Sequence, residues 1–245
     1  MELFKDGKMV TYSCASRGSA PLELYKETTR NAALSSDMTG VNGARLDADF
    51  WLPAAAECYN LSKDLRDYIM VPVPTIVSDM PNTNGVAFPK DELLRFDPEM
   101  GQLAYKGFKG KPTYSEHANQ DMTQAKGVIL DAFVTPLRGW GQGFAKVVEL
   151  LSFDRSKDPV LANQILSGER NCYSMGAYFE GYTCSKCGAE RGRCRHTGPK
   201  ETLYRDTSGE LVYRRIYKIV PFETSSVGSP AFIYAVSDRV MSMAT

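Results

Sequence analysis

Cys184, Cys187, Cys194 and His196 place four potential metal ligands within thirteen residues, as a C-x2-C pair followed by C-x-H. Thiolate and imidazole are donors that Zn²⁺ accepts in a tetrahedron, and a C-x2-C pair on a short loop sets two thiolates on one side of it. Gly188 and Gly192 give the loop the backbone freedom to bring the second pair round. All four ligands are protein atoms, so the expected site is closed and structural: Zn²⁺ would clasp a loop rather than activate water. A zinc-dependent hydrolase is disfavoured on the same ground, and no obvious general base adjoins the cluster. A redox C-x2-C pair usually opens a helix after a strand, and nothing helical is read after Cys187.

His117, in a stretch bounded by glycine and proline, is the other of the chain's two histidines. A candidate nucleophile lies in Cys172-Tyr173-Ser174-Met175-Gly176-Ala177. In a strand, Cys172, Ser174 and Gly176 point to one face. A small hydroxyl beside a glycine leaves space for a substrate backbone to approach, as acyl transfer from a serine requires. Taken alone, such a serine reads as a hydrogen-bonded bystander, and such a histidine as a structural or surface residue. Cys172 is a rival nucleophile on the same face. No basic residue adjoins it to lower its pKa, and a small core residue is its favoured role.

Composition frames these residues. The chain's 245 residues are 43% hydrophobic, enough for one large domain or two small ones with a real core. Its 29 basic and 29 acidic residues cancel, and the pI is near 6.7. That balance argues against a nucleic-acid binder, which needs a basic surplus. The locally basic stretch from Lys186 to Lys218 reads as a solvated face. There is no apolar leader and no apolar run of membrane-spanning length, so the expectation is a soluble protein that is not exported and has no membrane partner. Six cysteines, three of them in the cluster and Cys14, Cys58 and Cys172 scattered, fit a reducing cytosol better than a disulfide framework.

The elements that must position these groups follow from periodicity. Ala54 to Met70 predicts a helix, with Cys58, Leu61, Leu65 and Ile69 on one face and Pro53 in its first turn. Val71 to Val77 reads as an edge strand or extended segment because Pro72 and Pro74 interrupt it. Pro81 to Gly110 reads as loops around a short strand at Gln102 to Tyr105. Ala125 to Val134 and Ala145 to Phe153 read as strands. A helix follows, with Asp158 as N-cap, Pro159 first, Val160, Leu161, Ile165 and Leu166 on the buried face, and Gly168 as terminator. Asn171 to Glu180, Leu211 to Val220 and Phe232 to Val236 complete a mainly β second half. Strands in this order, without βαβ alternation, predict an α+β fold on an antiparallel sheet or barrel.

Spread from Gly110 to Ala231 are blocks whose order and spacing together are specific. They are Gly110-Lys111-Pro112, Glu116-His117, Ala125-x-Gly127-Val128, Phe153-Asp154-Arg155, the helix ending at Gly168, Tyr173-Ser174-Met175-Gly176, Cys184-Ser185-Lys186-Cys187-Gly188, and Glu223 through Ala231. In these the chain resembles the prohead maturation proteases of tailed bacteriophages, in the branch that carries a Cys/His insert after the nucleophile strand. The first hundred residues contribute little to the match.

The resemblance implies a serine endopeptidase similar in fold to the herpesvirus assemblins: α+β, a compact and mainly antiparallel β-barrel flanked by helices, with a small zinc-binding loop insert. The implied organisation is one protease domain over residues 1–245, with a catalytic core at 110–236 and the insert at 182–200. Its implied substrates are scaffold or core proteins, the major capsid protein and itself, inside the assembling prohead in the host cytoplasm. Ser174 would then be the nucleophile and His117 the base, a pairing to which elimination also points, since His196 is better used as a ligand. Glu223 is the implied third member, with Asp131 and Asp154 as alternatives. Its block departs from the family pattern, with Phe232 where an asparagine is expected after Pro230-Ala231. The turn from Ser226 to Gly228 is a candidate source of oxyanion donors. The alternative is a catalytically silent relative that keeps the zinc module for contact with capsid or scaffold.

Overall fold

In the computed structural model, residues 3–5, 8–12, 48–137, 143–197, 203–232, 235 and 241–242 are described. Strands β1 (Leu3–Lys5) and β2 (Lys8–Tyr12) precede helix α1 (Ala48–Tyr59) and β3 (Tyr68–Val77). Then come β4 (Val86–Ala87), the one-turn helix α2 (Lys90–Leu93), β5 (Phe96–Asp97), β6 (Gln102–Leu103) and β7 (Pro112–Ser115). The long strands β8 (Gly127–Pro136) and β9 (Ala145–Asp154) lead into helix α3 (Pro159–Leu166). The last part holds β10 (Tyr173–Phe179), β11 (Gly181–Cys184), β12 (Tyr204–Arg205), β13 (Leu211–Val212), β14 (Arg214–Tyr217), β15 (Val220–Ser226) and β16 (Met241–Ser242).

The fold is α+β. Nine strands form one sheet in the order β1-β2-β10-β15-β7-β8-β9-β3-β16, antiparallel throughout except where β15 runs parallel to β7. A smaller sheet of β11, β14 and β4 stands apart from it. The large sheet is strongly curled. Strands β15 and β9 are three places apart, which would separate them by about 14 Å in a flat sheet. Yet Thr224 Oγ1 on β15 lies 2.6 Å from Glu149 Oε2 on β9. The concave side holds the core: Ile69, Val71 and Val73 of β3, Val147, Leu151 and Phe153 of β9, and Tyr173, Met175 and Ala177 of β10. All are odd-numbered, as the two-residue period of a strand requires for one face.

Helix α1 ends at Tyr59, well short of the expected Met70. Asn60 takes φ 53°, and the Leu61 amide donates to the Ala56 carbonyl at 3.0 Å. That is a left-handed C-terminal cap with its six-to-one hydrogen bond. Ile69 and Met70 therefore belong to β3, and Pro53 stands inside the helix rather than in its first turn. β3 is the last but one strand, paired along its length with β9. Pro72 and Pro74 are two apart, so their missing N–H groups fall on the same side of the strand, and the ladder to β9 survives.

Helix α3 matches its punctuation: the Leu161 amide donates to Asp158 Oδ1 at 3.0 Å, Pro159 is the first residue, and Gly168 adopts φ 76°. Leu161 and Ile165 are buried as expected, whereas Val160 and Leu166 are exposed. The expected strand over Leu211 to Val220 is broken into three, with Lys218 at φ 52° turning the chain between β14 and β15. In the expected strand Phe232 to Val236, residues 233–234 and 236 lie outside the described residues, and Phe232 is in a bend. Cys14 also lies outside them. No helix of the described residues is long and apolar enough to cross a membrane.

Candidate active site

Three adjacent strands of the large sheet, β10, β15 and β7, bring Ser174, Glu223 and His117 together. Ser174 is the second residue of β10, Glu223 lies in β15, and His117 follows the end of β7. The ring of His117 bridges the other two. Its Nε2 is 3.0 Å from Ser174 Oγ and its Nδ1 is 2.7 Å from Glu223 Oε1. A carboxylate only accepts, so Nδ1–H donates to Glu223, leaving Nε2 to accept from the serine hydroxyl. Glu223 is fully buried and Ser174 is 1% exposed, which keeps the charge-assisted contact away from solvent screening. Glu223 Oε2 accepts a second hydrogen bond, from Ser225 Oγ at 2.5 Å. Serine and acid side chains two residues apart share a strand face, so Ser225 holds the carboxylate plane.

The histidine is delivered by a strained turn. Glu116 and His117 take φ 52° and 56° in succession, a left-handed conformation that costs about 1–2 kcal/mol for each non-glycine residue. Several contacts hold it. The Glu116 amide donates to the Ser226 carbonyl at 2.9 Å, and the Ala118 amide to the Ser115 carbonyl at 3.1 Å. Glu116 Oε1 pairs with the Arg170 guanidinium at 2.7 Å and accepts from the Gly228 amide at 3.1 Å. The parallel pairing of β7 with β15, which aligns Ser115 with Ser226, thus extends into the turn.

Gly176 has a different role from the one its sequence suggests. It faces Glu223 across the β10–β15 ladder. A Cβ there would sit 2.7 Å from Glu223 Oε1 and 2.5 Å from the Phe222 ring. The space above the glycine is occupied by the acid that holds His117, not left open for a substrate. The charge of Glu223 reaches its neighbours: burial first, and then this carboxylate, push the Tyr114 hydroxyl up to about 12.

The other candidates are engaged elsewhere. Asp131 pairs with Lys106 at 2.8 Å. Asp154 accepts from the amides of Ser62, Ser156 and Lys157 and from the Ser156 hydroxyl, closing a turn. Cys172 precedes β10, half-buried, with its Sγ 3.4 Å from Asn171 Oδ1. In the turn after Ser226, the Val227 amide donates to the Cys172 carbonyl at 2.9 Å and the Gly228 amide to Glu116. Sequence reasoning did not single out Ser225 or Arg170. The run Glu223-Thr224-Ser225-Ser226 carried a signal, since alternate polar side chains on a strand must serve both of its faces.

The second cluster lies on β11 and the loop beyond it. The ligand atoms of Cys184, Cys187, Cys194 and His196 all lie within 4.8 Å of one another, a group that could hold a metal ion. Cys184 Sγ is 3.8 Å from His196 Nδ1. Cys184 is buried at the end of β11, and Cys187 is exposed. The thiol of Cys194 is pushed down to about 6, chiefly by the hydrogen bond with Thr197, whereas burial pushes that of Cys184 up.

No protein-family model matches the chain, and no curated protein matches it. Among solved structures, the capsid assembly protease of bacteriophage T4 is similar over 66% of this chain and 82% of its own, at 16% sequence identity and a TM-score of 0.36.

Proposed function

We propose that this chain is a serine endopeptidase. Ser174 Oγ attacks the scissile carbonyl while His117 Nε2 takes its proton and later returns it to the leaving amine. Water then hydrolyses the acyl-enzyme by the same proton route in reverse. Glu223 fixes the tautomer and orientation of His117 and stabilises the imidazolium that forms. The observation that carries this reading is the unbroken series Ser174 Oγ, His117 Nε2, His117 Nδ1, Glu223 Oε1, with contacts of 3.0 and 2.7 Å.

The substrate class rests on the sequence blocks: scaffold and major capsid proteins of a phage prohead, cut inside the immature capsid, together with the enzyme itself. We read the whole chain as one protease domain and the curled sheet as the wall of an assemblin-type barrel. The Cys/His group suits Zn²⁺, because three thiols and an imidazole complete a tetrahedron without water. Held there, the ion would fasten the loop after β11 and take no part in the chemistry.

Mass spectrometry of scaffold and major capsid proteins co-expressed with the chain tests the reading. With the wild type, new termini should appear in the partners. With Ser174→Ala they should vanish, a loss on the order of 10⁶-fold in turnover for a serine nucleophile, while the variant remains folded. Equal cleavage by the variant would refute the proposal.

A further inference from the structure

Strand β15 presents Glu223 and Ser225 to one face and Thr224 to the other, where the curled sheet encloses a second buried glutamate. Glu149 is fully buried on β9. Its Oε1 lies 2.6 Å from Thr75 Oγ1 and its Oε2 lies 2.6 Å from Thr224 Oγ1. Thr75 reaches it from the bulge in β3, where the register with β9 shifts between Pro74 and Ile76. A bulge of this kind re-aims a side chain. Among the described residues its partners are these two hydroxyls and no cation, an arrangement that buried carboxylates sustain far better neutral than ionised.

Proton counting gives the same answer. Thr224 Oγ1 carries one hydrogen and has two acceptors in reach, Glu149 Oε2 and the Glu223 carbonyl oxygen at 3.0 Å. If Glu149 is ionised, the threonine must give its hydrogen to the carboxylate or to the carbonyl. If Glu149 is neutral, its own O–H donates to Thr224 Oγ1, and Thr224 donates onward to Glu223. Both contacts are then satisfied.

We propose that Glu149 is a positioning residue for the triad: a neutral carboxylic acid that, through the Thr224 hydroxyl, fixes the backbone of Glu223 from behind. Burial, and then the negative charge of Glu223, push Glu149 up to about 8, in line with the geometry. The groups facing it are Thr75 from β3 and Thr224 from β15, with Val73 and Ala132 beside it in register. Among the described residues, the charged group acting on it is Glu223. As pH rises through about 8, Glu149 gains a charge behind Glu223 and claims the Thr224 hydrogen, so the support of the Glu223 carbonyl is lost. Stability moves the same way. The folded pKa lies above the ordinary value of 4.5, so the contribution is full below about 4.5 and is lost as pH rises towards about 8.

This proposal rests on the serine-peptidase reading but is tested apart from it. The chain has two histidines, so the two imidazole Cε1 signals can be followed by NMR in wild type and in Glu149→Gln, which preserves shape and a donor to Thr224. The side-chain carboxyl carbon of Glu149 in the wild type provides a second readout that needs no variant. The expected result is a protonated Glu149 at neutral pH that ionises at about 8, with the His117 Cε1 signal moving at the same pH, a movement that Glu149→Gln abolishes. In parallel, wild-type kcat/KM should decline roughly tenfold above that pH, less than the 10²-fold cost of misplacing a reacting group by 1 Å, and Glu149→Gln should not decline. An ionised Glu149 at neutral pH, or a His117 Cε1 signal that behaves alike in wild type and Glu149→Gln, would overturn it. Cleavage that survives Ser174→Ala would refute the peptidase reading instead, whatever the titration shows.

Discussion

The two histidines are held by opposite strategies. His196 lies in the loop after β11, twelve residues from Cys184 at the end of that strand, whereas His117 meets partners 57 and 106 residues away. The cluster after β11 could hold a metal ion, and its residues differ in burial from Cys184 inside to Cys187 at the surface. The site at His117 is closed by the sheet itself: three neighbouring strands, a doubly left-handed turn and a brace from Arg170 to Glu116. The difference separates four groups gathered by one local segment from three that the pairing of distant strands brings into line.

Substitutions that act on one region and spare the other sharpen this comparison. Glu223→Gln keeps the shape but removes the acceptor-only partner of Nδ1, and should lower kcat by about 10⁴-fold as the imidazole loses its tautomer. Steady-state kinetics on a peptide spanning a mapped cleavage site would measure it, and metal content should stay at the wild-type level. Gly176→Ala forces a methyl against Glu223 Oε1 and the Phe222 ring. It should cost about 10²-fold in kcat by shifting the acid, with KM little changed. A wild-type rate would mean that the carboxylate is not held where the structure places it.

The smallest effect on chemistry is expected from the other histidine. His196→Ala, or a chelator, should abolish stoichiometric metal binding and loosen the loop after β11, seen as faster amide exchange there. Initial cleavage rates should remain within a few-fold of wild type, since structural zinc contributes folding energy rather than a reacting group. Abrupt loss of cleavage with unchanged exchange would join the two regions that the structure keeps separate.

The same contrast explains what the sequence made legible. The four residues of the cluster lie at the end of β11 and in the loop directly after it, so their spacing alone brings them into a group. Helix α3 was legible for the same reason, its cap and terminator being local. His117, Ser174 and Glu223 became candidates through residue blocks, but their contact depends on the parallel pairing of β7 with β15, which no local pattern encodes. The helix read through to Met70 failed because a single asparagine in a left-handed cap outweighed a continuing apolar period. Glu149 was hidden inside a strand buried along its whole length. An acid in such a run was itself a signal, because it must find partners across the interior.

Whether Ser174 is a nucleophile activated by His117 is decided by labelling with a fluorophosphonate, followed by mass mapping of the modified peptide. A single adduct on Ser174 is expected, absent in Ser174→Ala and slowed at least 10²-fold in His117→Ala, as loss of a general base requires. Labelling that persists undiminished in Ser174→Ala, or that maps to Cys172, would contradict it.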